Sequence, residues 1–231
     1  MTTTLTGRTA EQEAAARDTA KILLDIGAVN FRPEDPYILT SGRASPVYID
    51  CRKLISFPEE RRRIIAYAAD AIADAPGAAP VEAVAGGETA GIPYAAWISE
   101  RMGLPMLYVR KEPKGFARMA QIEGDMAEGC HVLLVEDMAT DGGSKINFIN
   151  AIRKAGGTVD RVFVVFYYGI FPEALAALED LGVKLVWLAV WADIIDIAED
   201  GGYYPPEKLA EVRAYLADPH GWSAGHGGKG D

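Results

Sequence analysis

The chain has 231 residues and a formal net charge of -10, long enough for one domain with a sizeable core. That charge sets aside a broad nucleic-acid or anionic-membrane surface, because such a polyanion is repelled overall, while a small anionic substrate in a local basic site stays open. Cys51 and Cys130 have neither disulfide-framework nor metal-ligand spacing, and are expected to be reduced thiols of a cytoplasmic protein. No apolar run approaches the ~20 residues of a membrane helix, and the opening MTTTLTGRTAEQEAAARD lacks an apolar signal core.

In chain order, residues 10–26 are predicted as a helix, with Ala14, Ile22, Leu23 and Ile26 among its apolar positions. AVNF and YILT follow as short strands divided by the turn RPEDP, and PVYID is a third after TSGRAS. A helix from Pro58 to about Ala75 opens on the acidic turn PEE, favourable against the helix dipole. Beyond APGAAP the pattern alternates. VEAVAG is a strand, AGIPYAAWISERMG a helix, and PMLYVR and HVLLVED are strands. A helix runs from about Gly143 to Ala155, then VDRVFVVFYYG is a strand, PEALAALEDLG a helix, VKLVWLAV the last strand, and Pro206 to Ala217 the last helix.

Apolar strands alternating with helices predict an α/β fold with a central, mostly parallel sheet flanked by helices. Residues 1–57 are expected to form an N-terminal helix and a small cap, and residues 58–218 the core with its C-terminal helix. Residues 219–231 hold the Gly-rich, patternless HGWSAGHGGKGD and are expected to be a disordered tail.

Two strand ends carry unusual chemistry. VLLV runs into Glu136 and Asp137, then Met138, Ala139, Thr140, Asp141, Gly142, Gly143 and Ser144. Between a strand and a helix, residues Ala139 to Ser144 offer backbone N–H groups, two hydroxyls and the helix dipole to a phosphate. Gly142 and Gly143 permit close backbone approach. The two acids would repel that phosphate, but carboxylates accept hydrogen bonds from vicinal hydroxyls such as those of a ribose. The set therefore suits a ribose 5-phosphate. A bare strand–loop–helix joint with capping residues is the plainer alternative, but two adjacent acids before this turn are more specific. VAGGETAG, holding Gly87, Glu88 and Thr89, is the second such turn.

VLLVEDMATDGGS resembles the phosphoribosyl pyrophosphate (PRPP) signature of the type I phosphoribosyltransferases, and GGETAG occupies the place of their pyrophosphate loop. From about Asp18 to Leu188 the chain is similar to the orotate phosphoribosyltransferases. LTSGRASPVYIDCRK resembles their N-terminal segment and YVRKEPKGFA their catalytic loop. The resemblance implies the type I phosphoribosyltransferase fold with an N-terminal hood. It implies PRPP held by Glu136, Asp137, Ala139, Thr140, Asp141, Gly142, Gly143, Ser144, Gly87, Glu88 and Thr89. Lys114 is the expected catalytic cation, with Arg110 and Lys111 on the pyrophosphate, and Ser41, Gly42, Arg43, Tyr48 and Thr140 at the orotate. It further implies Mg²⁺ carried by the substrate rather than by protein side chains, and a homodimer whose loop is shared between subunits.

Three positions depart from the family's better-known forms. Phe116 stands where the loop carries His, Thr40 where Lys precedes Ser-Gly-Arg, and VFYYGIFPE lacks an Arg associated with the orotate carboxylate. A divergent form is therefore expected. The alternatives are a phosphoribosyltransferase for another nucleobase and a non-catalytic PRPP-binding regulator; the latter usually adds a basic DNA-binding domain, for which this acidic chain has no segment.

Overall fold

A computed structural model describes residues 7–39, 41–75, 79–115, 121–140, 143–171 and 173–230, except the side chains at 173 and 174. Helix α1 (Ala10–Asp25) precedes strands β1 (Val29–Phe31), β2 (Tyr37–Ile38), β3 (Ala44–Ser45) and β4 (Val47–Ile49), then a 3-10 turn over Cys51–Ser56 and α2 (Pro58–Ala73). There follow β5 (Ala83–Gly87), α3 (Gly91–Met102), β6 (Met106–Val109), β7 (Ile122–Glu123), β8 (Val132–Ala139) and α4 (Gly143–Lys154). The chain ends with β9 (Arg161–Tyr167), α5 (Glu173–Glu179), β10 (Lys184–Val190), α6 (Trp191–Asp200), α7 (Pro206–Ala217) and α8 (Pro219–Gly225). Two compact units divide it: Pro58–Leu188, and Met1–Phe57 together with Ala189–Asp231.

Within Pro58–Leu188 the sheet order is β10-β9-β8-β5-β6-β7. β5 runs parallel to both β6 and β8, β8 parallel to β9, and the short β7 antiparallel to β6. Starting at β5, the chain steps one way to β6 and then crosses back to β8, β9 and β10. The winding therefore reverses between β5 and β8, and the crevice beyond the carboxyl ends of such a strand pair is where doubly wound sheets bind ligands. β8 and β9 are buried along almost their whole length, as required of strands covered on both faces. A Cβ added at Gly86 would meet the α3 backbone at 2.7 Å, and one at Gly87 would meet Phe148 of α4 at 2.5 Å. Adjacent strand residues point to opposite faces, so α3 and α4 cover opposite sides of β5.

In the other unit, Thr9 caps α1 through a reciprocal box with Gln12: Thr9 Oγ1 accepts from the Gln12 N–H at 3.2 Å and Gln12 Oε1 accepts from the Thr9 N–H at 3.1 Å. α1 packs on α6, and Arg8 donates two hydrogen bonds, at 2.7 and 3.1 Å, to the Asp193 carboxylate at the start of α6. Such a forked pair fixes direction as well as contributing energy. β1 pairs antiparallel with β4, and β2 with β3.

Two expectations are corrected here. The C-terminal helix α7 groups with the N-terminal segment, not with residues 58–188. The supposed disordered tail forms α8: Asp218 accepts from the Gly221 N–H at 2.9 Å, and Trp222 is buried against Tyr215 and stacked on His226 at 3.7 Å. One large aromatic and a side-chain cap outweigh the glycine content.

Candidate active site

Glu136 and Asp137 lie towards the carboxyl end of β8 and are 7% and 8% exposed. Their settings differ. Asp137 Oδ1 accepts from the Met138 N–H at 2.9 Å, whereas Glu136 Oε1 is buried with no hydrogen-bond partner. Burial pushes the Glu136 carboxyl up to about 8, with Lys145 opposing, Asp137 adding to the rise and Lys111 opposing. A buried, unpaired acceptor is costly unless a ligand satisfies it. Across the switch point, Gly87 and Gly91 leave room for this side chain. A Cβ at Gly87 would lie 1.7 Å from Glu136 Oε1, and one at Gly91 2.2 Å from the Val135 carbonyl. The Glu88–Thr89 peptide beside them is cis, Glu88 is half-buried and Thr89 exposed.

After Asp137 the chain turns into α4. Ala139 is buried and its carbonyl accepts from the Tyr168 N–H at 2.9 Å. Thr140 is half-buried, and Gly143 and Ser144 are exposed at the N-terminus of α4. Asp141 and Gly142 lie outside the described residues. Acceptors buried below a helix N-terminus suit a ligand with a diol at one end and a phosphate at the other.

Arg110, Lys111 and Lys114 follow β6, the other strand beside β5. The Lys111 N–H donates to Glu88 Oε2 at 2.7 Å, and the Lys111 carbonyl accepts from Asn147 Nδ2 at 3.1 Å. The Arg110 N–H donates to the Gln121 carbonyl at 2.8 Å, and Gln121 Nε2 returns to the Arg110 carbonyl at 3.1 Å. Arg110 is also 3.5 Å from Glu123 of β7. These bonds tie the root of the basic segment to the Gly87–Gly91 turn and to α4, bringing Lys111 close enough to act on Glu136. Lys114 is exposed further along, and Phe116 and Arg118 lie outside the described residues.

Asn147, Gln121 and Lys145 escape sequence reasoning. Lys145 is 4% exposed and acts on Glu136. Its signal was available: a Lys in a helix's first turn opposes the dipole and needs a reason. The two amides act on backbone atoms, which no local pattern reveals.

Of the orotate candidates, Thr140 lies in Pro58–Leu188, and the other four belong to the other unit. Ser41, Gly42 and Arg43 form the β2–β3 turn: Gly42 has φ +83°, its N–H donates to the Leu39 carbonyl at 2.8 Å, and the Leu39 N–H donates to the Arg43 carbonyl at 2.9 Å. That φ favours glycine. Tyr48 of β4 has its ring 5.3 Å from Tyr37, and its hydroxyl accepts from Arg52 at 3.1 Å. Thr40 lies outside the described residues.

Sheet order and the chemistry at its switch point place the chain in the type I phosphoribosyltransferase fold class. No family model matches the chain. A protein of Sinorhizobium medicae named orotate phosphoribosyltransferase is 50% identical over 220 residues, covering 95% of each chain. The crystal structure of orotate phosphoribosyltransferase from Aeropyrum pernix is 33% identical with a TM-score of 0.63, covering 80% of this chain and 99% of that one. Leishmania donovani UMP synthase is 28% identical with a TM-score of 0.75 over 89% of this chain; the chain spans 43% of that longer protein. The chain belongs to the orotate phosphoribosyltransferase family. Among the described residues no helix is long and apolar enough to cross a membrane.

Proposed function

We propose that the chain transfers the 5-phosphoribosyl group of PRPP to orotate, forming orotidine 5′-monophosphate and pyrophosphate in pyrimidine (UMP) synthesis. The observation that carries this reading is the pair of buried acids at the switch point, one of them unpaired, facing a glycine-lined turn. Glu136 and Asp137 accept from the ribose hydroxyls, and the turn from Ala139 to Ser144, through Thr140, Asp141, Gly142 and Gly143, wraps the 5-phosphate. Gly87, Glu88 and Thr89 line the pyrophosphate. Ser41, Gly42, Arg43, Tyr48 and Thr140 receive the orotate, whose carboxylate calls for a cation and N–H donors.

In the reaction the bond from ribose C1 to the pyrophosphate oxygen breaks as one from an orotate ring nitrogen forms, and that nitrogen gives up its proton. The transition state resembles an oxocarbenium ion, as in other glycosyl transfers. The chain's work is positioning, plus stabilisation of charge on the leaving group by Lys114, Lys111 and Arg110. Mg²⁺ would be carried by the substrate rather than by protein side chains, and would there help to neutralise leaving-group charge. The reading includes a homodimer with the basic loop shared between subunits, and a cytoplasmic setting, which suits Cys51 and Cys130 lying outside any disulfide.

The test is orotate consumption by purified protein with PRPP and Mg²⁺, beside uracil and hypoxanthine. Turnover of orotate alone is expected, reduced at least about 100-fold in Lys114→Ala. Turnover of another base but not orotate overturns the substrate; PRPP binding without turnover of any base favours the regulator.

A further inference from the structure

The glycines of the C-terminal segment lie where close approach demands them. Ser223, fully buried in α8, accepts a hydrogen bond on Oγ from the Ala44 N–H at 2.9 Å and donates to the Lys229 carbonyl at 2.5 Å. The Lys229 N–H in turn donates to the Gly42 carbonyl at 2.9 Å. Gly228 sits between these partners, and a Cβ there would stand 2.2 Å from the Ala44 nitrogen and 2.5 Å from Ser223 Oγ. The Lys229 side chain lies along Gly42, 3.0 Å from where a Cβ would be. Tyr215, edge-on to Trp222, reaches Ser45 and feels the charge of Arg43.

The contacts therefore take hold of the β2–β3 turn at Gly42 inside it and at Ala44 where it re-enters the strand. An exposed tail without function needs neither a buried hydroxyl relaying two backbone groups nor a glycine packed against a backbone nitrogen. We infer that the C-terminal segment is a positioning element of the base site, in which Ser223 and Gly228 hold the Ser41–Arg43 turn in the shape that receives the orotate carboxylate. This rests on the proposal that the turn receives orotate. Neither residue touches substrate: they act by fixing the backbone of the turn, through the Gly42 carbonyl and the Ala44 N–H, and with it the origin of the Arg43 side chain.

The experiment measures KM for orotate, KM for PRPP and kcat on the full-length protein, as wild type, Ser223→Ala and Gly228→Ala. Ser223→Ala removes the relay without adding atoms, and the loss of one buried hydrogen-bonded group is expected to raise KM for orotate about ten-fold. Gly228→Ala wedges the segment off the turn and is expected to raise it further. KM for PRPP should stay within about two-fold in both variants, a split that general loss of folding would not produce. An orotate KM that does not move in either variant overturns the inference, as does a parallel rise in both KM values. Absence of orotate turnover in the wild type instead sinks the functional reading, and the inference with it.

Discussion

Gly87→Ala is expected to lower PRPP-dependent turnover at least about 100-fold and to weaken PRPP binding by a similar factor. The added methyl would stand 1.7 Å from Glu136 Oε1 and 2.5 Å from the Phe148 ring, separations that non-bonded atoms do not tolerate. β5 is held by parallel neighbours on both sides, and Phe148 is fully buried. The carboxylate must therefore move. Overpacking of this kind costs about 1–3 kcal/mol in stability, and it displaces the group assigned to the ribose. Titration of PRPP and a thermal melt separate the two effects: a lowered Tm alone, with PRPP affinity kept, would contradict the assignment of Glu136.

The second large effect is a pH dependence. Burial holds the Glu136 carboxyl protonated up to about 8, against about 4.3 in an exposed Glu. Between those limits the folded protein keeps a proton that the unfolded chain has released. Stability from this group is fully present below the unfolded value and declines as pH rises towards the folded one, by about 1.4 kcal/mol for each pH unit. A bound ribose changes the balance, because hydroxyl donors favour the ionised carboxylate. PRPP binding near pH 7 is therefore expected to release close to one proton from Glu136, and apparent affinity to rise with pH until it levels off near 8. Calorimetry in buffers of different ionisation enthalpy reads the proton count. The difference between wild type and Glu136→Gln isolates this group from the ligand's own phosphates; an equal count in both places the proton elsewhere.

The sheet was legible because its strands are apolar runs. VLLV and VFVVF are buried on both faces, and only a covered parallel strand uses residues in this way. α6 was not, since WADIIDIAED follows VKLVWLAV without a break and its apolar residues merge with those of the strand. β7, two residues long, has no periodicity to detect. The tail misled through composition: its glycines look like disorder, yet Gly221 packs against its cap, Asp218, and Gly228 against the Ala44 backbone. Flexibility and close approach draw on the same residue, and only the tertiary partner tells them apart.

The candidate site was legible to the extent that its proposed chemistry lies in side chains near one another in sequence. Glu136 and Asp137 announce themselves by closing an apolar strand, and Arg110 and Lys111 by being basic in an acidic protein. What the sequence hid is the support. Asn147 and Gln121 hold backbone carbonyls, Ser223 joins two backbone groups, and Lys145 acts by charge from a buried position. Each depends on a fold that brings distant segments together, which spacing along the chain does not encode.

The proposed role of the acids at the β5–β8 switch point is phosphoribosyl transfer to orotate. Its most direct test is product analysis by mass spectrometry after mixing protein, PRPP, orotate and Mg²⁺, with Asp137→Asn alongside. Orotidine 5′-monophosphate and pyrophosphate in equal amounts from the wild type, with formation reduced at least about 100-fold in the variant, is the predicted result. Unchanged PRPP and orotate after incubation with folded, PRPP-binding wild type would contradict it.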